Sequence, residues 1–247
     1  MPNFSQEKQP LSVDDLLQRY ADGDRNFQRI ILQDVELTNA NLQRADFSHA
    51  DLRQTRLGKI NFHQACLREA DLSESLLWGT DLSEADLYRV VLREADLTGA
   101  KLIHARLDEA NLMKASLCGA NLSHAKLSHA LLLEADLRPS SDQRTDLGFA
   151  VLSGADLSYA DLGAAVLHHA DLDGAKLCRA NLSRRLQWED FLTDLTGASL
   201  RGADLSYANL SGAILRGANL LGADLTGTIL TEVEFQGAIM PDGTIHV

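Results

Sequence analysis

An apolar residue, nearly always leucine, recurs at every fifth position of this chain. The series runs without a change of register from Phe27 to Leu182, and after an interruption it resumes at Leu195 and continues to Met240. Of these 42 positions, 41 are apolar, and Asp142 is the exception. The residue two places earlier is usually alanine and the residue between is usually Asp or Asn, so the unit is Ala-Asp/Asn-Leu-x-x. A fixed period of this kind is typical of repeat architectures.

A period of five fits neither regular secondary structure. On an α-helix five residues advance by about 500°, so the leucines would point to every face and leave no apolar stripe. Along a strand the Ala and Leu of one unit share a face, but the next Ala, three residues later, would point to the other. The chain must therefore turn a corner in each unit. Four corners close a square coil of about 20 residues, and coils stack at roughly 4.8 Å. Three-sided coils are the main alternative.

The run from Ala95 to Leu102, with the sequence Ala-Asp-Leu-Thr-Gly-Ala-Lys-Leu, resembles the pentapeptide-repeat family. Equivalent runs cover almost the whole chain, which makes the resemblance specific. It implies an all-β solenoid, a right-handed quadrilateral β-helix in which the Asp and Asn side chains satisfy backbone groups along the rod. It also implies that the two ends of the rod need caps.

The residues near the N-terminus predict a short capping α-helix. Ser12 and Asp15 have the spacing of a capping box, and Gly23 is placed to end the helix. A helix across the first coil would cover an edge that otherwise promotes aggregation. The prediction is therefore an N-terminal segment with a capping helix (1–25), a β-helix (26–240) interrupted by loops at 138–144 and 183–192, and a C-terminal cap (241–247).

Composition excludes several classes of protein. No apolar run reaches the length of a membrane span, and the first residues lack a signal peptide, so we expect a cytoplasmic protein with no membrane partner. The net charge of −12 disfavours nucleic acid as a partner. Three scattered cysteines provide no disulfide framework. An interior filled by Leu and Ala leaves no pocket for a small-molecule substrate or a cofactor. We therefore expect no catalytic activity.

Two pairs of side chains are candidates for chemical sites. Asp51 and Asp71 are 20 residues apart and are expected to be neighbours on adjacent coils, but both occupy the standard Asp position of the repeat. His104 and His124 are likewise expected to stack and could bind a metal ion. Their column is predicted to continue with Arg144, which is no ligand, so we expect no metal site.

The interruptions of the repeat are the predicted recognition elements, because loops on a rigid scaffold commonly carry function. One is 138–144 and the other is 183–192. Counting along the repeat places them on the same side of the square, two coils or about 10 Å apart, within reach of one partner. The alternative is that they are tolerated insertions. The predicted partner-binding residues in these loops are Arg138, Asp142, Arg144, Arg184, Arg185 and Trp188.

A second candidate surface is apolar. Met113, Leu131 and Leu133 occupy outward positions on adjacent coils, with Val91 and Val151 expected on the same side. A contiguous exposed apolar patch often marks an interaction surface. Shielding by long neighbouring side chains or packing of a homodimer are the alternatives.

These observations favour a non-catalytic regulatory module that binds other proteins. Within the family, residues 136–148 and 240–243 resemble those of a cyanobacterial regulator of heterocyst differentiation, which implies cell-differentiation regulators as partners. The alternative is a DNA mimic that binds gyrase, a topoisomerase. DNA carries one charge per about 1.7 Å, so about 50 Å of it presents about 30 charges, against −12 here. A structural rod with no specific partner is a third possibility.

Overall fold

The computed structural model describes residues 11–184 and 191–247, and within them the chain winds into four-unit coils. Where the repeat is unbroken, the residue before a repeat leucine forms a parallel β-bridge with the residue 20 positions later. Single bridging residues are the only β-structure among the described residues, and α1 (Val13–Ala21) is the only helix. The bridges form four columns, which we call walls 1, 2, 3 and 4, and which begin at Asn26, Ile31, Glu36 and Asn41.

Each unit turns its corner through a residue with left-handed backbone geometry. In the unit that contains Phe47, the corner residue His49 has φ 58°, and the Ala50 N–H donates to the Phe47 carbonyl over 3.0 Å. Where Asp or Asn precedes the leucine, its side chain holds the corner from outside, as when the Asp71 carboxylate accepts from the Ser73 N–H at 3.0 Å. This contact gives a physical reason for Asp or Asn at that position.

Repeat side chains fill the interior of the described coils. Leucines such as Leu122 and alanines such as Ala125 are fully buried along the rod. Near the N-terminal end three phenylalanines replace leucine, and the ring centroids of Phe27 and Phe47 are 5.3 Å apart. Because the core is one continuous column, every coil is stabilised by the coils above and below it.

The N-terminal end of the column is covered by α1. Ser12 is the N-cap, and its hydroxyl accepts from the Asp15 N–H at 3.1 Å and donates to the Asp15 carboxylate at 2.6 Å. Leu16 is fully buried against the first coil. Gly23, with φ 95°, directs the chain away from the helix and into the first unit of wall 1.

The C-terminal end is covered along one wall only. The last residues turn back and pair antiparallel with wall 1, where Ile239 bridges Ile245. The interior positions of the other three walls in the last coil, Leu225, Leu230 and Phe235, are partly exposed. Residues 241–247 are therefore a cap for one side rather than for the whole end, because a single hairpin is too narrow to cross the square.

Two coils are longer than the others. Asn121 bridges Asp146, a spacing of 25 rather than 20, so the first interruption inserts five residues. Val166 bridges Asp194, a spacing of 28, so the second inserts eight. The spacing of 20 then resumes. We call the segments that contain these insertions loop A (138–144) and loop B (183–192).

Both loops leave the rod at the same corner, between walls 3 and 4. Loop A joins Asp136 of wall 3 to Asp146 of wall 4, and loop B joins Asn181 to Asp194 in the same way. One ordinary coil, which contains Asp161, lies between them. The two loop bases are thus two coils, or about 10 Å, apart along the corner.

Candidate protein-interaction site

Loop A is anchored by a threonine that replaces a core alanine. Thr145 is fully buried; its hydroxyl donates to the Arg138 carbonyl over 2.7 Å and accepts from the Gly119 N–H at 2.9 Å. Loop A also packs directly on Gly119, since a β-carbon there would overlap Ser140 Oγ and lie 2.7 Å from Ser140 Cβ. The start and end of the loop are therefore held together against the coil below.

Loop B is anchored in the same way. The buried Thr193 hydroxyl accepts from the Ala164 N–H at 2.8 Å and lies 3.5 Å from the Ser183 carbonyl. Sequence reasoning missed both threonines. The signal was present, because Thr145 and Thr193 each occupy the alanine position of the first unit after an interruption.

Arg144 points inward, toward the rod and loop B. Its Nε donates to the Ala164 carbonyl over 2.9 Å, and its Nη2 donates to the carbonyls of Ala165 and Leu192 over 3.3 and 2.5 Å. The guanidinium carbon lies 5.2 Å from the Phe191 ring centroid. Burial lowers the pKa of this arginine. Arg144 is thus a contact between the loops, and its predicted contact with a partner stays a prediction.

Other loop residues predicted to bind a partner are more accessible. Asp142 is exposed at the tip of loop A. Arg184 is exposed at the start of loop B and pairs with Glu232 at 2.8 Å. Arg185 and Trp188 lie outside the described residues. The structure therefore brings Asp142 and Arg184 to one corner, as the repeat count predicts.

Arg138 forms a bidentate ion pair at the start of loop A. Its Nε and Nη2 donate to the two Asp136 carboxylate oxygens over 2.7 and 2.5 Å. Burial alone would raise the pKa of Asp136, but the hydrogen bonds and the charge of Arg138 outweigh it and lower that pKa. The pair joins the first residue of loop A to wall 3.

This pair predicts a stability effect that depends on pH. Since the pKa of Asp136 in the folded chain is below its ordinary value of 3.8, the stabilisation is complete above that value and is lost as pH falls through the folded-state pKa. At about pH 6, Asp136→Asn should lower the free energy of unfolding by no more than about 1 kcal/mol, and at about pH 3 the difference should shrink. Urea titrations at both pH values, with the exposed Asp142→Asn as control, measure it. A difference that stays constant with pH would contradict the assignment.

A ladder of stacked rings lines the far edge of wall 4. Ring centroids are 4.8 Å apart for His104 and His124, 5.0 Å for His124 and Phe149, and 5.1 Å for Phe149 and His169. The expected stacking of His104 on His124 is confirmed. The expectation that Arg144 follows them is wrong, because the five inserted residues of loop A move Phe149 into that column.

Wall 4 carries an open groove beside loop A. Its volume is about 550 Å³. The floor is formed by outward residues of wall 4, and the side is formed by loop A and by Phe191 at the end of loop B. Its lining includes Lys101, Ile103, Asn121, Arg144, Val166 and Phe191.

The apolar patch lies on a different side of the rod. Leu131 is 43% exposed in wall 2, and Met113 and Leu133 are half-buried on adjacent coils of that wall. Val151 belongs to wall 1, where it bridges Asp171, so the expectation that it joins the patch is wrong. The reason is again the inserted residues of loop A, which shift every later position by one wall. Wall 3 separates the patch from the loops.

The two carboxylates considered above as a chemical site, those of Asp51 and Asp71, share an ion pair with one arginine. Arg53 lies between Asp51 and Asp71, at 2.7 and 3.8 Å from their carboxylates. In the described part of the chain no group of three or more His, Cys, Asp or Glu side chains is arranged to bind a metal ion. Over the same residues, no helix is long and apolar enough to cross a membrane.

Comparisons with known proteins identify relatives of this architecture. The chain is similar to HetL from Nostoc sp. strain PCC 7120, a pentapeptide-repeat protein involved in heterocyst differentiation regulation, with 71% identity over 95% of this chain and 99% of that one, and a TM-score of 0.94. It also matches Rfr23 from Cyanothece 51142, with 35% identity over 44% of this chain and 68% of that one, and a TM-score of 0.37. QnrB1, a plasmid-mediated fluoroquinolone resistance protein, matches with 18% identity over 83% of this chain and 91% of that one, and a TM-score of 0.30.

No match was found among curated protein sequences. The model of the family described as pentapeptide repeats matches the chain in eight copies, over residues 26–58, 65–102, 95–132, 145–184, 193–232 and 215–241. These matches leave out all of loop A and most of loop B. The chain belongs to the pentapeptide-repeat family.

Proposed function

We propose that this protein is a non-catalytic interaction module that takes part in the control of heterocyst differentiation in a cyanobacterium. The observation that carries the proposal is the likeness to HetL, at 71% identity over 95% of the chain. The proposal includes a right-handed sense for the β-helix, as the family resemblance implies, and a cytoplasmic location. The partners would be other proteins that regulate differentiation.

We place the interface at the corner where loops A and B emerge. The four walls repeat one pattern, whereas the loops break it and create the groove on wall 4. Asp142 and Arg184 are exposed there, and Arg185 and Trp188 belong to loop B. The patch of Leu131 and its neighbours in wall 2 is the competing interface. It consists of one exposed leucine with two half-buried neighbours, and it lies apart from the residues that break the repeat.

The distribution of charge supports this function over mimicry of DNA. A mimic needs unbroken rows of carboxylates, but many carboxylates here are paired with cations on the same or the next coil. Such pairs interleave positive charge along the whole rod. Examples are Arg53 with Asp51 at 2.7 Å, Arg89 with Glu109 at 2.8 Å, and Arg216 with Glu234 at 2.7 Å.

The first test uses filaments of a heterocyst-forming cyanobacterium that lack their own HetL. Expression of the wild-type chain should change heterocyst frequency, and the double variant Asp142→Lys/Arg184→Ala should lose most of that effect. The matched control is Met113→Ser/Leu133→Ser, which alters only the patch. Equal protein levels and unchanged unfolding curves show that each variant is folded. If the patch variant loses the effect and the loop variant keeps it, the interface is wall 2 instead.

The second arm tests the alternative function. Purified gyrase is assayed for DNA supercoiling with and without a stoichiometric amount of the chain. We expect no inhibition and no protection from a quinolone. Inhibition at that ratio, together with no change in heterocyst frequency, would overturn the proposed function in favour of DNA mimicry.

A further inference from the structure

We infer that Arg144 is a positioning residue that fixes loop A to Phe191 and Leu192 at the end of loop B, and so sets the relative position of the two loops. The contacts of Arg144 within the chain do not depend on a partner. Their consequence for partner binding rests on the proposed function. Arg144 would thus act on the loops, whereas the exposed loop residues would contact the partner directly.

The Arg144 guanidinium spans three successive segments of the corner. The arginine belongs to loop A, its acceptors Ala164 and Ala165 belong to the ordinary coil between the loops, and its third acceptor, Leu192, is the last residue of loop B. Phe191 of loop B lies against the same guanidinium, 5.2 Å from its carbon. One side chain thus connects both loops to the coil that separates them.

The geometry requires arginine rather than a positive charge in general. The donors of a guanidinium lie in a rigid planar fork, so one side chain can reach several carbonyls that point in different directions. A lysine ammonium at the same place is a compact point charge and could not bond to Ala164 and Leu192 with the same geometry. Without Arg144 the carbonyls of Ala164 and Leu192 would lose this donor, whereas the Ala165 carbonyl would keep its bond from the Asp194 N–H.

Each loop is also attached to the rod by a threonine at its base, and this attachment does not involve Arg144. Thr145 follows Arg144 directly and ties the base of loop A to Gly119. Thr193 follows Leu192 and ties the base of loop B to Ala164. Loss of Arg144 should therefore leave both loop bases attached to an intact β-helix, and remove only the connection between them.

Amide hydrogen exchange of the purified chain tests this inference without any partner. In Arg144→Gln, amides in peptides that cover 183–195 should exchange at least about threefold faster than in the wild type. Amides of the coils over 95–132 should be unchanged, as should the thermal unfolding midpoint within about 2 °C, because the loops lie outside the core. Arg144→Lys should show the same acceleration as Arg144→Gln.

The matched control is Arg138→Gln, which removes another arginine of loop A, whose guanidinium forms an ion pair with Asp136. It should leave exchange over 183–195 unchanged. Unchanged exchange of loop B in Arg144→Gln would overturn the inference, and so would full restoration by lysine or an equal acceleration in Arg138→Gln. A wild-type chain with no effect on heterocyst frequency would refute the proposed function but leave this exchange result intact.

Discussion

Replacing Leu132 by alanine should lower the free energy of unfolding by about 2 to 5 kcal/mol, the usual cost of removing a fully buried leucine from a packed core. Leu132 has no exposed surface and lies in the middle of the rod. Its neighbours are the leucines and alanines of the coils above and below, which are held by backbone hydrogen bonds on both sides and cannot close the cavity easily. The measurement is a urea or guanidinium titration that monitors far-ultraviolet circular dichroism.

The adjacent residue provides the control. Leu131 is 43% exposed on the outside of the same wall. Leu131→Ala should change the free energy of unfolding by less than about 0.5 kcal/mol, as for most surface substitutions. Two identical changes one residue apart should therefore differ several-fold in cost. Similar losses in the two variants would mean that wall 2 does not face the core as described.

Replacing Gly119 by alanine should also destabilise the chain, and should displace loop A. Gly119 has φ +65°, and a β-carbon would lie 2.7 Å from Ser140 Cβ and 3.1 Å from the Gln143 carbonyl oxygen. These atoms belong to or adjoin the backbone of loop A, so the loop must move. The expected loss is about 1 kcal/mol for the backbone conformation and about 1 to 3 kcal/mol more for the overlap.

Comparison with Gly99 isolates the cost of the overlap with loop A. Gly99 precedes Gly119 by one coil in the same column and has the same φ of +65°, but a β-carbon on Gly99 would have no neighbouring atom within 4 Å. Gly99→Ala should therefore show only the conformational cost of about 1 kcal/mol. Unfolding titrations of the two variants give the difference, and proteolysis of loop A reports its displacement. Equal costs and equal resistance to protease would contradict the packing of loop A on Gly119.

The repeating part of the fold could be predicted from the sequence because each unit contains the residues that determine its inward positions and its corner. Leu122 and Ala125 are apolar at positions that share an inward direction, and the preceding Asp or Asn caps the corner. The stacking of His104 on His124 could be predicted because the two residues are 20 positions apart, which is one coil. Where the repeat is unbroken, the neighbours of a residue on the adjacent coils can therefore be found by counting 20 residues.

The candidate site could be predicted only in outline. The loops and their common corner were evident from the interruptions, but the direction of Arg144 was not, because its acceptors are backbone carbonyls as far away in sequence as Leu192. The presence of Phe149 in the histidine ladder and of Val151 on wall 1 depended on how many residues loop A adds to its coil. A count that ignores the insertion places every later side chain on the wrong wall.

The sequence by itself thus determined a rod that turns a corner in every five-residue unit around a filled leucine core, since a five-residue period admits few other ways to bury its apolar side chains. The bridges 20 residues apart decided four corners over three. Only the tertiary structure decided which outward residues become neighbours after each interruption, and which loop residues face the rod rather than the solvent. The physical reason is that inward positions are fixed by local alternation along the chain. Outward neighbours and loop contacts depend on the register between coils and on hydrogen bonds to distant backbone groups.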